Sequence, residues 1–317
     1  MGNDTLVAVD LAKSVFQLAV SDRPGKVIRR ERLSRDKFLE FFAQQPVSTV
    51  IMEACGSAHY WGRRIEELGH TVVLLPPQYV RPYVLRNKTD RTDTDAMLEA
   101  YRNQQIRAVP IKSVTQQVLG TLHRLRSGWV GERTARVNAL RGLLRELGFF
   151  IPVGRREVLP HAWEIIQDAN SGLPDALRPS LAALCEEIVG FSKRIADIEK
   201  QLNVLAQQVP AVGRVYSVPG IGILTRVLER LTPTPWPHLK RGDAYLRTLL
   251  VHGARAILWH AKRLEQPDRL RAWALRLEKK IGHNKAAVAL ANKLARIAWA
   301  VWKNDRDFAP VPETQAA

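Results

Sequence analysis

The sequence predicts an α/β N-terminal domain, followed by a coiled-coil region of long helices and an all-α C-terminal domain. Three observations carry this. Short apolar runs broken by turn residues fill the first 75 positions. From Val114 onward, apolar residues recur at steps of three and four. Charge is also divided unevenly: residues 1–110 hold 16 basic and 13 acidic side chains, a net of +3, whereas residues 111–317 hold 32 and 18, a net of +14.

Residues 5–10, 15–20 and 26–32 read as three strands, with Asp22-Arg23-Pro24-Gly25 turning between the second and third. A helix follows over Lys37–Gln44, then a strand over Thr49–Glu53. Cys55-Gly56-Ser57 breaks that strand and caps a helix through Leu68, which Gly69 closes. Thr71–Leu75 is the last strand, ended by Pro76-Pro77. His59, Tyr60 and Trp61 read as capping or packed rings, outside any site.

In the helical region Val118, Leu122, Leu125 and Trp129, then Leu140, Leu144 and Leu147, form one stripe, interrupted at Ser127-Gly128. Leu181, Leu184, Ile188, Phe191, Ile195, Ile198, Leu202, Leu205 and Val209 form an unbroken seam of the coiled-coil kind. The two helices are expected to pair as an antiparallel hairpin, with residues 149–180 crossing between them, in a form that suits dimerisation. Arg124, Arg126, Arg133, Arg136, Arg141 and Arg145 stud the first helix. They read either as a grip on nucleic-acid backbone or as a solvated face.

After Pro210, Pro219-Gly220-Ile221-Gly222 between two helices looks like a helix-hairpin-helix turn. Its glycines would let backbone N–H groups approach a phosphate, though a plain helix-breaking loop is the alternative. Helices then run to about Trp302, and a disordered tail is expected from 306 onward, Phe308 included.

The chain has 317 residues and a formal net charge of +17, which points to a polyanionic partner. Its two cysteines, Cys55 and Cys185, show no metal-ligand spacing and fit a reducing cytoplasm. No signal peptide or membrane-spanning run is apparent, so a cytoplasmic protein without membrane partners is expected.

The chemistry concentrates in acids. Asp90, Asp93 and Asp95 stand in Lys88-Thr89-Asp90-Arg91-Thr92-Asp93-Thr94-Asp95, which leads into the helix former Ala-Met-Leu-Glu-Ala. Asp90 and Asp93 share a helix face, while Asp95 sits roughly 140° round from Asp90. Two carboxylates about 4 Å apart repel by roughly 4 kcal/mol at an effective dielectric near 20. Such a pair calls for a cation or for water; an acidic helix N-terminus stabilised by the macrodipole is the alternative. Two further acids end apolar strands, Asp10 after Leu6-Val7-Ala8-Val9 and Glu53 after Thr49-Val50-Ile51-Met52. Strand ends are where ligands bind in α/β sheets. Four hard oxygen donors suit Mg²⁺ or Mn²⁺, and two-metal sites suit phosphodiester chemistry.

Ala8-Val9-Asp10-Leu11-Ala12-Lys13, Met52-Glu53-Ala54-Cys55-Gly56-Ser57, Lys88–Asp93, the Pro219–Gly222 turn and Lys240–Arg255 together resemble the DEDD transposases of bacterial insertion sequences, of the insertion-sequence 110 type. The resemblance implies an RNase H-like (RuvC-like) domain over residues 1–110, an order that the three-strand meander followed by αβαβ also suggests. It further implies a coiled-coil region over 111–210 and a truncated helical transposase domain over 211–305, with the tail at 306–317. Asp10, Glu53, Asp90 and Asp93 match the family's four catalytic, metal-holding acids. Nucleic-acid contacts are expected from Lys13, Lys88, Arg91, Pro219, Gly220, Ile221, Gly222, Lys240, Arg241 and Arg247. The implied activity is metal-dependent DNA strand cleavage and joining in transposition. The implied partners are DNA ends and target, a guide (bridge) RNA, and further copies of the chain through the helical hairpin.

One family feature has no counterpart. The family carries a glycine- and serine-rich stretch between its two C-terminal blocks, with a nucleophilic serine. Here residues 225–239 are short, Thr232-Pro233-Thr234-Pro235-Trp236-Pro237 fills the join, and no serine follows Ser217. An internal deletion that impairs strand exchange is the expectation. Two other readings stay open: a resolvase-type nuclease that uses water, and a non-catalytic DNA- or RNA-binding remnant.

Overall fold

The computed structural model describes residues 5–23, 26–84, 90–207, 214–222, 225 and 244–310. The chain divides into two compact units, Met1–Thr115 and Gln116–Ala317.

The first unit is built on a mixed five-stranded sheet. Its strands are β1 (Leu6–Asp10), β2 (Val15–Arg23), β3 (Lys26–Ser34), β4 (Thr49–Glu53) and β5 (Thr71–Leu75), in the order β3-β2-β1-β4-β5. β1 runs antiparallel to β2 and parallel to β4, and β4 runs parallel to β5. β2 and β3 each reach further than the sequence suggests. They pair as far as Arg23 and Lys26, on either side of Pro24 and Gly25, which lie outside the described residues.

Helices cover both faces, which is why the central strands read as continuous apolar runs. On one face Val7, Val9, Phe16, Leu18, Val50 and Met52 pack with α1 (Phe38–Gln44) and α2 (Ala58–Glu66). Edge-to-face rings dominate there, with Phe16–Phe38 at 4.5 Å and Phe38–Trp61 at 5.1 Å between centroids. α2 stops two residues before the expected end, and Gly69 takes φ +89° in the turn beyond it. A single helical turn, α3 (Pro77–Val80), follows β5. On the other face Leu6, Ala8, Ala19, Ile51 and Leu75 are covered by α4 (Asp90–Arg102) through Ala96, Met97, Leu98 and Ala100.

The second unit is helical. α5 (Val114–Glu146), whose first two residues fall in the N-terminal unit, runs straight through Ser127-Gly128, where an interruption is expected. A glycine costs roughly 1 kcal/mol in a helix interior, too little to break a 33-residue helix held by packing. The buried stripe of its first half is also not the expected one. Leu119 and His123 are buried, whereas Val118 and Leu125 are 43% and 44% exposed. His123 faces the ring of Tyr245, and this contact selects the stripe.

The crossing between the long helices contains a helix of its own, α6 (Arg155–Gln167), which the sequence reading leaves unassigned. Its Val158, Ala162 and Ile166 share one core with Val137, Leu140 and Leu144 of α5. Leu181, Cys185 and Ile188 of α7 (Arg178–Gln207) complete that core. Along α7 the expected seam is buried at Leu181, Ile188, Ile195, Ile198 and Leu202. Val209 lies outside the described residues. Two ion pairs join α5 to α7, Arg126 to Glu199 and Arg136 to Glu187.

The C-terminal core is formed by α8 (Ala244–Ala261), α9 (Arg269–Ile281) and α10 (His283–Lys303). Val215, Val218 and Ile221, around the Pro-Gly-Ile-Gly turn, belong to this core. Gly220, at φ +74°, lies against α8, where an added Cβ would stand 2.8 Å from the Gly253 carbonyl oxygen. A Cβ on Gly253 would in turn collide with the Gly220 carbonyl oxygen. These two glycines therefore permit backbone-to-helix contact. The expected disordered tail begins ordered: Phe308 packs on the same core, and its N–H donates to Ser217 Oγ at 2.7 Å.

Gly253→Ala is expected to lower the unfolding free energy by about 1–3 kcal/mol in urea titrations. Gly190→Ala, in α7 with open space around its Cβ position, should raise stability by up to about 1 kcal/mol. Burial, aided by the Glu186 charge, pushes the Cys185 thiol up to about 11. At pH 8 its thiolate is then about one part in a thousand. A disulfide-exchange reagent should label half-buried Cys55 first and reach Cys185 only on unfolding.

Candidate functional site

Register places two of the expected acids side by side. β1 and β4 are parallel neighbours with Val9 opposite Met52, so Asp10 and Glu53 are the next residues on each strand, at their carboxyl ends. Alternation puts both on the face that carries Leu6, Ala8 and Ile51, the face that α4 covers. Adjacent strands stand about 4.8 Å apart, so the two acids occupy neighbouring positions at one sheet edge. Both are half-buried.

α4 lies across this face, packing over β1, β2, β4 and β5. Asp93 lies three, four and seven residues before the buried Ala96, Met97 and Ala100, so it belongs to the sheet-facing stripe, and it is half-buried. Asp90 opens the helix, but its side chain lies outside the described residues. Asp95 is engaged elsewhere. Arg30 of β3 holds it through one nitrogen, Nη2, which donates to both carboxylate oxygens at 2.7 and 2.9 Å, and Arg30 Nη1 donates to Thr94 Oγ1 at 3.3 Å. β2 and β1 separate β3 from β4, so this clamp draws Asp95 away from the Glu53 side. Nothing in the sequence context of Arg30 marks it for this role; only the pairing of Arg30 with Ala19 puts it on the α4 face.

A donor set of carboxylates alone would suit Mg²⁺ or Mn²⁺ rather than zinc. Among the described residues no group of three or more His, Cys, Asp or Glu side chains stands placed to hold an ion, a statement that leaves out Asp90. His59, kept out of the site on sequence grounds, accepts the Lys112 N–H at Nδ1.

Of the expected nucleic-acid contacts, Lys13 is exposed in the loop after β1, and its carbonyl accepts from Arg35. Arg247 is half-buried in the first turn of α8. Pro219, Gly220, Ile221 and Gly222 form the turn seated on α8, with Ile221 buried and Gly222 exposed. Lys88, Lys240 and Arg241 lie outside the described residues, as does the side chain of Arg91. Ser217, the last serine, is tethered: its hydroxyl donates to the Arg214 carbonyl at 2.6 Å and accepts the Phe308 N–H.

The first unit is thus an α/β sheet with neighbouring acids at the ends of β1 and β4, and with further acids on the helix that covers that face. Residues 7–149 match the family model of the IS110-type DEDD transposases, described as Transposase. A "Probable family 20 transposase" of Pseudomonas aeruginosa is 36% identical over 97% of this chain and 99% of its own length. The "Transposase for insertion sequence element IS1111A" of Coxiella burnetii is 35% identical, over 93% and 89%. That for IS1328 of Yersinia enterocolitica is 34% identical, over 95% and 97%. The chain belongs to the IS110-type DEDD transposase family of insertion sequences. The first of these matches runs over 338 positions but draws on only 97% of a 317-residue chain, so about thirty positions of that relative have no counterpart here. No helix among the described residues is long and apolar enough to cross a membrane.

Proposed function

We propose that this chain is the transposase of an insertion sequence, with an RNase H-like N-terminal domain in which Asp10, Glu53, Asp90 and Asp93 hold Mg²⁺ or Mn²⁺ at a scissile phosphate. The observation that carries this is the register of β1 and β4, which sets Asp10 and Glu53 next to one another at the sheet's edge beneath α4. The bound metal would supply charge stabilisation to the phosphate oxygens. Asp10 and the α4 acids anchor it, and Glu53 orients the attacking water or hydroxyl. Asp95 takes no part, because Arg30 neutralises it.

DNA ends and target are the substrates, with a guide RNA as partner. The α5–α7 pair serves as the coiled-coil hairpin through which copies associate; pairing of Arg126 with Glu199 and of Arg136 with Glu187 supports an antiparallel arrangement. A second reading is favoured by specific observations: a copy that binds nucleic acid but exchanges strands poorly. No serine follows Ser217, Ser217 itself is a tether, and some thirty residues of a near full-length relative have no counterpart here. A proline-flanked threonine, the nearest hydroxyl in the shortened join, is a poor nucleophile.

In a cleavage and strand-transfer assay with cognate ends, RNA and Mg²⁺, Asp10→Asn and Glu53→Gln are expected to lose cleavage by at least about a hundredfold. DNA binding should persist, and Asp95→Asn should cleave like the wild type. Equal cleavage by all three variants would sink the metal-site reading. Restoring the missing segment from a relative should raise strand joining without changing Mg²⁺ uptake measured by calorimetry. Unchanged joining in that chimera would refute the deletion as the cause of impairment.

A further inference from the structure

The arginines of α5 divide into two groups once their partners are known. Arg126 donates to Glu199 and to the Tyr245 hydroxyl, and Arg136 donates to Glu187 and Glu132. Arg141 spends its guanidinium on the carbonyls of Ile151, Pro152 and Gly154, which fixes the loop between α5 and α6. Arg133 is different. Among the described residues it has no ion pair, and it faces a cleft lined by Thr134, Val137, Arg141, Val153, Gly154 and Arg155. Arg155 is likewise without an ion pair and exposed.

This cleft concentrates positive charge, and no carboxylate is among the residues that line it. Burial, then the neighbouring guanidinium groups of Arg155 and Arg126, outweigh the opposing charge of Glu199 and make Arg133 release its proton more readily than an ordinary arginine. Arg155 is also the first residue of α6, a 13-residue helix whose N-cap, Gly154, offers no side-chain acceptor to the first-turn N–H groups. The positive end of the helix dipole is thus added to the arginines. Glu157, the acid of that first turn, pairs with neither arginine. The loop also bears two exposed apolar side chains, Phe150 at 76% and Val153 at 93%. Guanidinium pairs suit phosphodiester oxygens, and an exposed aromatic ring on the loop that leads to them suits an unpaired base.

We propose that Arg133, Arg155 and the N-terminus of α6 form a binding site for the phosphodiester backbone of a single-stranded nucleic acid, with Phe150 available to stack a base. This rests on the chain's acting on nucleic acid but is independent of the acidic site, because it lies on a different set of helices and needs no divalent ion. The test is therefore run on the full-length chain in EDTA. Fluorescence anisotropy is followed with a labelled single-stranded DNA and with a labelled RNA over a range of salt concentrations. The R133Q/R155Q double variant should bind at least one of them about tenfold more weakly near 100 mM salt. Its log–log salt slope should be shallower by about 1.4, as expected for two lost phosphate contacts on a single strand. Arg136→Gln, which removes a paired arginine from the same helix, should keep the wild-type slope. Should the double variant melt abnormally, Arg155→Gln alone should still lose about 0.7 of the slope. A wild-type slope with both oligonucleotides overturns the proposal. So does competition by inorganic phosphate without any change in those slopes, which would assign the cleft to a free anion. Loss of cleavage in the Asp10 and Glu53 variants has no bearing on it, since these measurements exclude metal.

Discussion

The parallel pairing of β1 with β4 is the constraint from which the N-terminal unit follows. With Val9 opposite Met52, two strands separated by nearly forty residues of chain finish level, each on an acid. A slip of one residue would turn Glu53 to the opposite face, among Phe38, Phe42 and Trp61, where a carboxylate has no partner. The aromatic cluster on that face thus does more than stabilise. By filling its face with rings it forces the alternate residues of both strands, and therefore the acids, toward α4.

Side-chain pairing then sorts charges that look equivalent in the chain. Asp93 and Asp95 are two residues apart, yet one lies on the sheet-facing stripe and the other is clamped by Arg30. Arg133 and Arg136 are three apart, yet one faces a cleft and the other is held by Glu187. In both cases the helix sets which residues share a face, and a neighbouring element decides which of them is neutralised.

In the C-terminal half the two blocks that resemble the family are physically one feature. The Pro-Gly-Ile-Gly turn sits on α8 at Gly253, inside the Lys240–Arg255 block, and neither glycine has room for a side chain. The packing on α8 is itself a reason for glycine at 220. The residues absent relative to longer family members fall in a chain that nonetheless keeps this contact, and with it a closed helical core through Val301.

The sequence by itself determined the mixed sheet, since turn residues and apolar runs mark all five strands to within three residues. It also determined the α7 seam, because steps of three and four are a local property of one helix. The placement of Asp10 and Glu53 at the ends of two strands was legible in the apolar runs before them, and the helical geometry of 90–95 was enough to set Asp95 apart. Other features needed the tertiary structure. The stripe of α5 depended on Tyr245, more than a hundred residues away, because either of two adjacent apolar stripes could have been buried. α6 escaped notice because Pro160 and the short span of its apolar face weaken a local signal that packing against α5 and α7 makes good. The clamp on Asp95 and the open cleft at Arg133 were decided by which oppositely charged side chain folding brought within reach, and no local pattern records that distance.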